Sequence, residues 1–161
     1  MKNIWINLTK DIRNQIKLEI IKHLASTNSE VRKGISIAIA GIAHIELPRN
    51  EWPELINILV INSKNENLTY KSASLETLNN ICEDANESFF RDYEEIREII
   101  DVFCSSTYFS NIDIQLLGIR GILFILQNCS NYIHEKTKSN IFDSILSCCI
   151  IKNEKIQLIS F

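Results

Sequence analysis

The sequence predicts an all-α solenoid, and three observations carry that prediction. Polar breaks cut the 161 residues into alternating pieces of helix length. Equivalent residues recur about every 40 positions. Apolar residues inside the pieces follow the helical period, whereas the alternation and Asn-Gly turn pairs of hairpin strands are missing. With 45% hydrophobic residues, 4 glycines and 2 prolines, the chain has the material for a packed core and little for long loops.

Cut at the breaks, the chain yields two sets of segments. The A set is "NSEVRKGISIAIAGIAHIEL", "NENLTYKSASLETLNNICEDA", "SNIDIQLLGIRGILFILQNC" and the final "KNEKIQLISF". The B set is "TKDIRNQIKLEIIKHLAST", "RNEWPELINILVINSKN", "FRDYEEIREIIDVFCSST" and "HEKTKSNIFDSILSCCII". Ala38, Thr77 and Gly121 hold equivalent places in successive A segments, at offsets of 39 and 44. Trp52, Leu55, Ile58 and Leu59 match Tyr93, Ile96, Ile99 and Ile100 at an offset of 41. A period of about 40 made of two helices is the pattern of HEAT or armadillo arrays. The division reads as one array over residues 1–161. Residues 1–27 end in the B helix of a partial repeat, three repeats follow over 28–65, 66–107 and 108–150, and 151–161 begin another.

Each element has a local reason. Tyr93, Ile96, Ile100 and Phe103 make one stripe on a 3.6-residue helix, with Asp92, Glu94, Glu95 and Glu98 off the stripe near its N-terminus. The A segments are apolar nearly all round, and Gly34, Ala38, Ala73 and Gly121 are expected to let helices approach closely. In "GIAHIELPRNEWPEL", Pro48 ends the A helix at Leu47. Asn50 is then the expected N-cap, with Glu51 and Pro53 in the first turn of the next helix, so the stretch predicts a tight corner between antiparallel helices. Trp52 and Leu55 begin the buried face of that helix.

The sequence argues against several function classes. A net charge of −3 with no basic block gives no footprint for nucleic acid. No run is long and apolar enough to span a membrane. His23, His44 and His134 lie far apart without ligands at metal spacing, and "HEKTK" lacks the second histidine of a zinc helix motif. Cys82, Cys104, Cys129, Cys148 and Cys149 contain no CxxC and read as reduced, buried thiols. No phosphate loop and no nucleophile–base set can be assembled, so neither an enzyme nor a cofactor is expected.

The corner carries a family resemblance. "GIAHIELPRNEWPELINILV" resembles the third HEAT repeat of importin-β, through Gly41, Ile42, Ala43, Glu46, Pro48, Asn50, Trp52, Pro53, Glu54 and Leu55. "YKSASLETLNNICED" is similar to the fourth, through Lys71, Ser72, Leu75, Glu76, Ile81, Cys82 and Asp84. Trp5 followed by "DIRNQIKLEIIKHL" looks like the end of the second repeat. Residues 111–127 resemble the fifth in pattern alone. Importin-β chains carry roughly nineteen repeats, so the expectation is a piece of a longer receptor, with Ile156, Leu158, Ile159 and Phe161 at an unfinished, self-associating end.

The resemblance implies a nuclear transport receptor that works in the cytoplasm, nucleus and nuclear pore. It implies binding of GTP-loaded Ran along the B helices, and importin-α or other cargo adaptors and Phe-Gly nucleoporins as partners of the full-length protein. Geometry then selects the polar side of each B helix, opposite its apolar stripe. That picks Arg13 and Lys17, then Glu51, Glu54 and Asn57, then Glu94, Glu98 and Asp101. The alternative is a HEAT scaffold of the phosphatase-subunit type, with no dependence on Ran.

Overall fold

The structure, a computed structural model, describes residues 2–85, 89–90 and 92–150, and these contain helices and turns but no strand. The helices are α1 (Lys2–Ile6), α2 (Lys10–Lys22), α3 (Ser29–Glu46), α4 (Leu55–Ser63), α5 (Leu68–Glu83), α6 (Tyr93–Thr107), α7 (Ile112–Asn128) and α8 (Glu135–Ile150). One layer contains the A helices α3, α5 and α7, each packed on the next. The B helices α4, α6 and α8 form a second layer, likewise packed in sequence, and α4 and α6 lie mainly on the A helices that follow them, α5 and α7. The all-α solenoid of the sequence reading is the observed fold. The four residues of the expected unfinished end lie outside the described residues.

The starts of the A helices are set by one residue type. Asn28, Asn67 and Asn111 are the N-caps of α3, α5 and α7. Each side-chain carbonyl accepts a backbone N–H of the first turn, from Glu30 at 2.9 Å, Thr69 at 2.9 Å and Asp113 at 2.9 Å. These bonds satisfy amides that have no partner inside the helix. The caps are 39 and 44 residues apart, the same offsets as Ala38, Thr77 and Gly121, so the repeat and the caps keep one register. Among the B helices, Thr9 caps α2 and Asp92 caps α6.

The corner after α3 differs from its sequence reading. The helix does end at Glu46, but the chain then forms a 3-10 turn over Leu47–Arg49 and closes on Asn50 in the left-handed conformation, φ 54°. The Asn50 amide donates to the Leu47 carbonyl at 2.9 Å, and the Glu51 amide to the Glu46 carbonyl at 3.0 Å. This is a helix-ending Schellman arrangement, and asparagine takes it because its short polar side chain tolerates the left-handed region. Asn50 therefore closes one helix and caps nothing. Glu51 and Pro53 lie in the link before α4, which starts only at Leu55 and has no side-chain cap. The corner is an eight-residue link rather than a tight turn.

The main core is an apolar cluster running from Trp5 to Ile141, with Leu24, Leu55, Leu59, Leu75, Leu78, Ile96, Ile99 and Phe103 fully enclosed, and a smaller cluster forms around Ile119 and Cys148. Trp52 is 2% exposed, so its reading as a core anchor holds, and the α6 stripe is buried at Ile96, Ile100 and Phe103. Close approach of helices occurs at α6 and α7. A Cβ on Gly121 would sit 2.4 Å from the Phe103 ring, and one on Gly118 would sit 2.7 Å from the Phe103 carbonyl oxygen. Ala73 is buried in the α5 interface as expected. Gly34 and Ala38 are not: both face solvent, and the space around Gly34 is open. The helical stripe of α3 turns Ile39 and Ala43 inward instead, about a turn away from these small residues.

Polar side chains stitch the A layer. The Thr77 hydroxyl lies 3.1 Å from that of Ser36, the Asn80 amide donates to Ser36 at 2.8 Å, and the Asn79 amide donates to the Leu117 carbonyl at 3.0 Å. Cys82, Cys104, Cys129 and Cys148 are buried, in line with their sequence reading, and the side chain of Cys149 lies outside the described residues. Burial pushes the thiols of Cys82 and Cys104 above the ordinary range, which makes them poor nucleophiles.

This packing predicts the outcome of three substitutions. Trp52→Ala removes a buried indole and is expected to cost about 3–5 kcal/mol, read from the urea midpoint by far-UV circular dichroism. Gly121→Ala overpacks the α6–α7 contact and is expected to cost about 1–3 kcal/mol. Gly34→Ala, at an open site inside α3, is expected to stabilise by about 0.5–1 kcal/mol. Equal effects at the two glycines in the same melts would contradict the observed contacts.

Candidate partner-binding face

The site begins with an acid inside an apolar run. In "GIAHIEL" the helical stripe carries Glu46 to the inner side of α3 at its last turn, where the side chain is fully buried. A lone carboxylate there would be strongly disfavoured, so it must be paired and hydrogen-bonded. Its Oε1 accepts from Trp5 Nε1 at 2.9 Å and from the Arg13 guanidinium at 2.9 Å, and its Oε2 accepts from Lys17 Nζ at 2.6 Å. Lys17 Nζ also donates to the Glu51 backbone carbonyl at 2.9 Å and stands 5.4 Å from the centre of the Trp52 ring. Arg13 bridges onward to the Glu51 carboxylate, so two cations balance two carboxylates. The Glu51 hydrogen bond leads the effects that hold the Arg13 guanidinium above its ordinary pKa, against the opposing effect of burial.

This corrects the sequence reading of α2. Arg13 and Lys17 were expected on a solvated polar side opposite the apolar stripe. Lys17 is instead 7% exposed, and both cations are directed at Glu46 and the corner. An α2 that buries no apolar residue completely docks through its charges, helped by the half-buried Ile16, Ile20 and Ile21. The signal for Glu46 was present in the sequence as an acid within an otherwise apolar helical face, yet spacing names no partner for it.

The B layer presents three successive grooves. The first, about 400 Å³, lies between α2 and α4 and is lined by Lys10, Lys17, Leu18, Glu51, Trp52 and Glu54 among others. The second, about 150 Å³, brings Asn57 of α4 beside Asp92, Glu94 and Glu98 of α6. The third, about 240 Å³, joins Asp101 and Tyr108 of α6 to Asn140 and Asp143 of α8. Glu54, Asn57, Glu94, Glu98 and Asp101 are exposed, and Glu51 is half-buried at the rim. Arg97 pairs with Glu94 within α6. Asp92, Tyr108 and Asp143 join the face although sequence spacing did not select them, because loops and neighbouring helices bring them there.

The first groove carries both signs of charge and the second and third are acidic, and such open clefts suit a protein surface more than a small molecule. Among the described residues no group of His, Cys, Asp and Glu is arranged to hold a metal ion, and no helix is long and apolar enough to cross a membrane.

No protein-family model matches the chain. Among curated proteins it is 27% identical to importin subunit beta-1 of Arabidopsis thaliana over 160 residues, 98% of this chain and 18% of that protein. It is 38% identical to importin subunit beta-1 of Saccharomyces cerevisiae over 84 residues, 51% of this chain and 10% of that protein. The chain thus spans less than a fifth of the curated relatives it matches. Of solved structures, a crystal structure of importin beta superposes over 97% of this chain and 19% of its own, with TM-score 0.83 and 27% identity. Kap95 in a complex with Nup1 and Kap95 bound to RanGDP share the fold, at TM-scores of 0.86 and 0.85, each with 23% identity over 99% of this chain and 19% of theirs. The helix order, the sequence likeness along nearly all of its length and the common fold make this chain similar to importin subunit beta-1.

Proposed function

We propose that this chain forms part of a nuclear transport receptor and that its B layer is a face for GTP-loaded Ran. The observation that carries the reading is the run of three grooves on one layer, the second and third acidic, which the six candidate residues Glu51, Glu54, Asn57, Glu94, Glu98 and Asp101 line. Arg13 then acts behind the face by holding its first edge, and Lys17 both holds that edge and lines the first groove. Clustered charge of one sign speeds encounter with a partner of opposite charge and fixes its register. The Kap95–RanGDP and Kap95:Nup1 complexes support Ran and nucleoporins as partner classes. Importin-α or other cargo adaptors, and work in the cytoplasm, nucleus and pore, belong to the same reading. The role is binding, without catalysis. The repeats run over 28–65, 66–107 and 108–150, each an A helix followed by a B helix.

A calorimetric titration with Ran carrying a non-hydrolysable GTP analogue, and again with GDP, tests it. Binding is expected with the analogue and at least about tenfold weaker with GDP, a coupling of about 1.4 kcal/mol. Glu54→Lys with Glu98→Lys is expected to weaken the GTP-analogue complex by about tenfold or more and to change its salt dependence. Equal affinity in both nucleotide states would leave a plain scaffold and overturn the reading.

A further inference from the structure

We propose that Glu46 is a positioning residue for partner binding, whose buried carboxylate fixes α2 against the corner and so sets the opening of the first B-layer groove. The inference rests on the reading above that the B layer is the partner face.

Three observations carry it. First, α2 is joined to the array differently from the later B helices. Its only buried residue is Lys17, whereas α4 buries Leu55, Ile56, Leu59 and Val60, and α6 buries Ile96, Ile99, Ile100, Val102 and Phe103. Second, the three side chains that tie the N-terminal segment to the corner, Trp5, Arg13 and Lys17, all converge on one carboxylate. Third, α2 supplies one wall of the first groove through Lys10, Asn14, Lys17, Leu18 and Ile21, while Glu51, Trp52 and Glu54 supply the other. Lys17 belongs to both the ion cluster and the groove wall, so the position of the cluster is the position of the wall. The same bonds orient Glu51, because Arg13 holds its carboxylate and Lys17 its carbonyl.

The joint has a natural reporter. The chain has two tryptophans. Trp5 donates to Glu46, and Trp52 lies beneath Lys17, so all tryptophan emission arises at this joint. The 161-residue chain is compared with Glu46→Gln and with Lys17→Met, which keeps the aliphatic stem over Trp52 but removes the amine. The expected result for both variants is a red-shifted tryptophan emission in the absence of denaturant with far-UV ellipticity retained. Hydrogen exchange of α2 and residues 47–54 is expected to speed up about tenfold while α5 and α7 keep their protection. Unchanged emission, or loss of emission, ellipticity and protection together in one transition, overturns the proposal. Should Glu46→Gln not fold, Lys17→Met decides. These measurements need no partner, so they stand apart from the Ran titration. If Ran binds the parent chain, Lys17→Met is expected to weaken it by about tenfold, and an unchanged affinity with α2 loosened would also overturn the proposal.

Discussion

The buried Glu46 carboxylate is the constraint on which the N-terminal half of the array depends. It is the last residue of α3, fully enclosed, and it accepts hydrogen bonds from an indole, a guanidinium and an ammonium. A charge in such a place is tolerable only with all of its partners, and removing one from a buried pair typically costs about 3–5 kcal/mol. The cost gives the joint a single geometry where apolar packing alone leaves several. The corner over residues 47–54 follows from it, since the Glu51 side chain and carbonyl complete the cluster while the left-handed Asn50 turns the chain to bring them there.

Beyond that joint the array holds itself by different means. Successive A helices are pinned by identical asparagine caps and by a polar ladder from Ser36 through Thr77 and Asn80, with Asn79 reaching α7. The contact between α6 and α7 relies on Gly118 and Gly121, where a ring and a carbonyl of α6 fill the space that a side chain would need. Solenoids gather stability from neighbour contacts. Here the neighbour terms change in kind along the chain, from charge at α2 to close apolar packing at α6 and α7.

That change bears on function. A partner laid along the B layer meets a larger first groove with a wall held by ion pairs, then smaller grooves between helices packed through apolar stripes. Acids dominate the second and third grooves, and Arg13 and Lys17 of α2 are paired with Glu46 and Glu51.

The sequence by itself determined the helices, their order and the repeat, because periodicity and capping are local properties written in neighbouring residues. The offsets of 39 and 44 reappear in the asparagine caps, and Trp52 is core, as its stripe required. It also located the exposed Glu54 just before α4 and the exposed acids of α6, since a solvated face follows from the stripe opposite. The tertiary structure decided the rest. Asn50 has the composition of both an N-cap and a left-handed C-cap, and only the closing bonds to Leu47 and Glu46 separate the two. Gly34 and Gly121 look alike in sequence, and only the neighbouring helix makes one of them necessary. Arg13 and Lys17 look like surface charges until a carboxylate 33 and 29 residues away claims them. Pairing across that distance depends on how the helices stack, and no spacing rule within one helix encodes it.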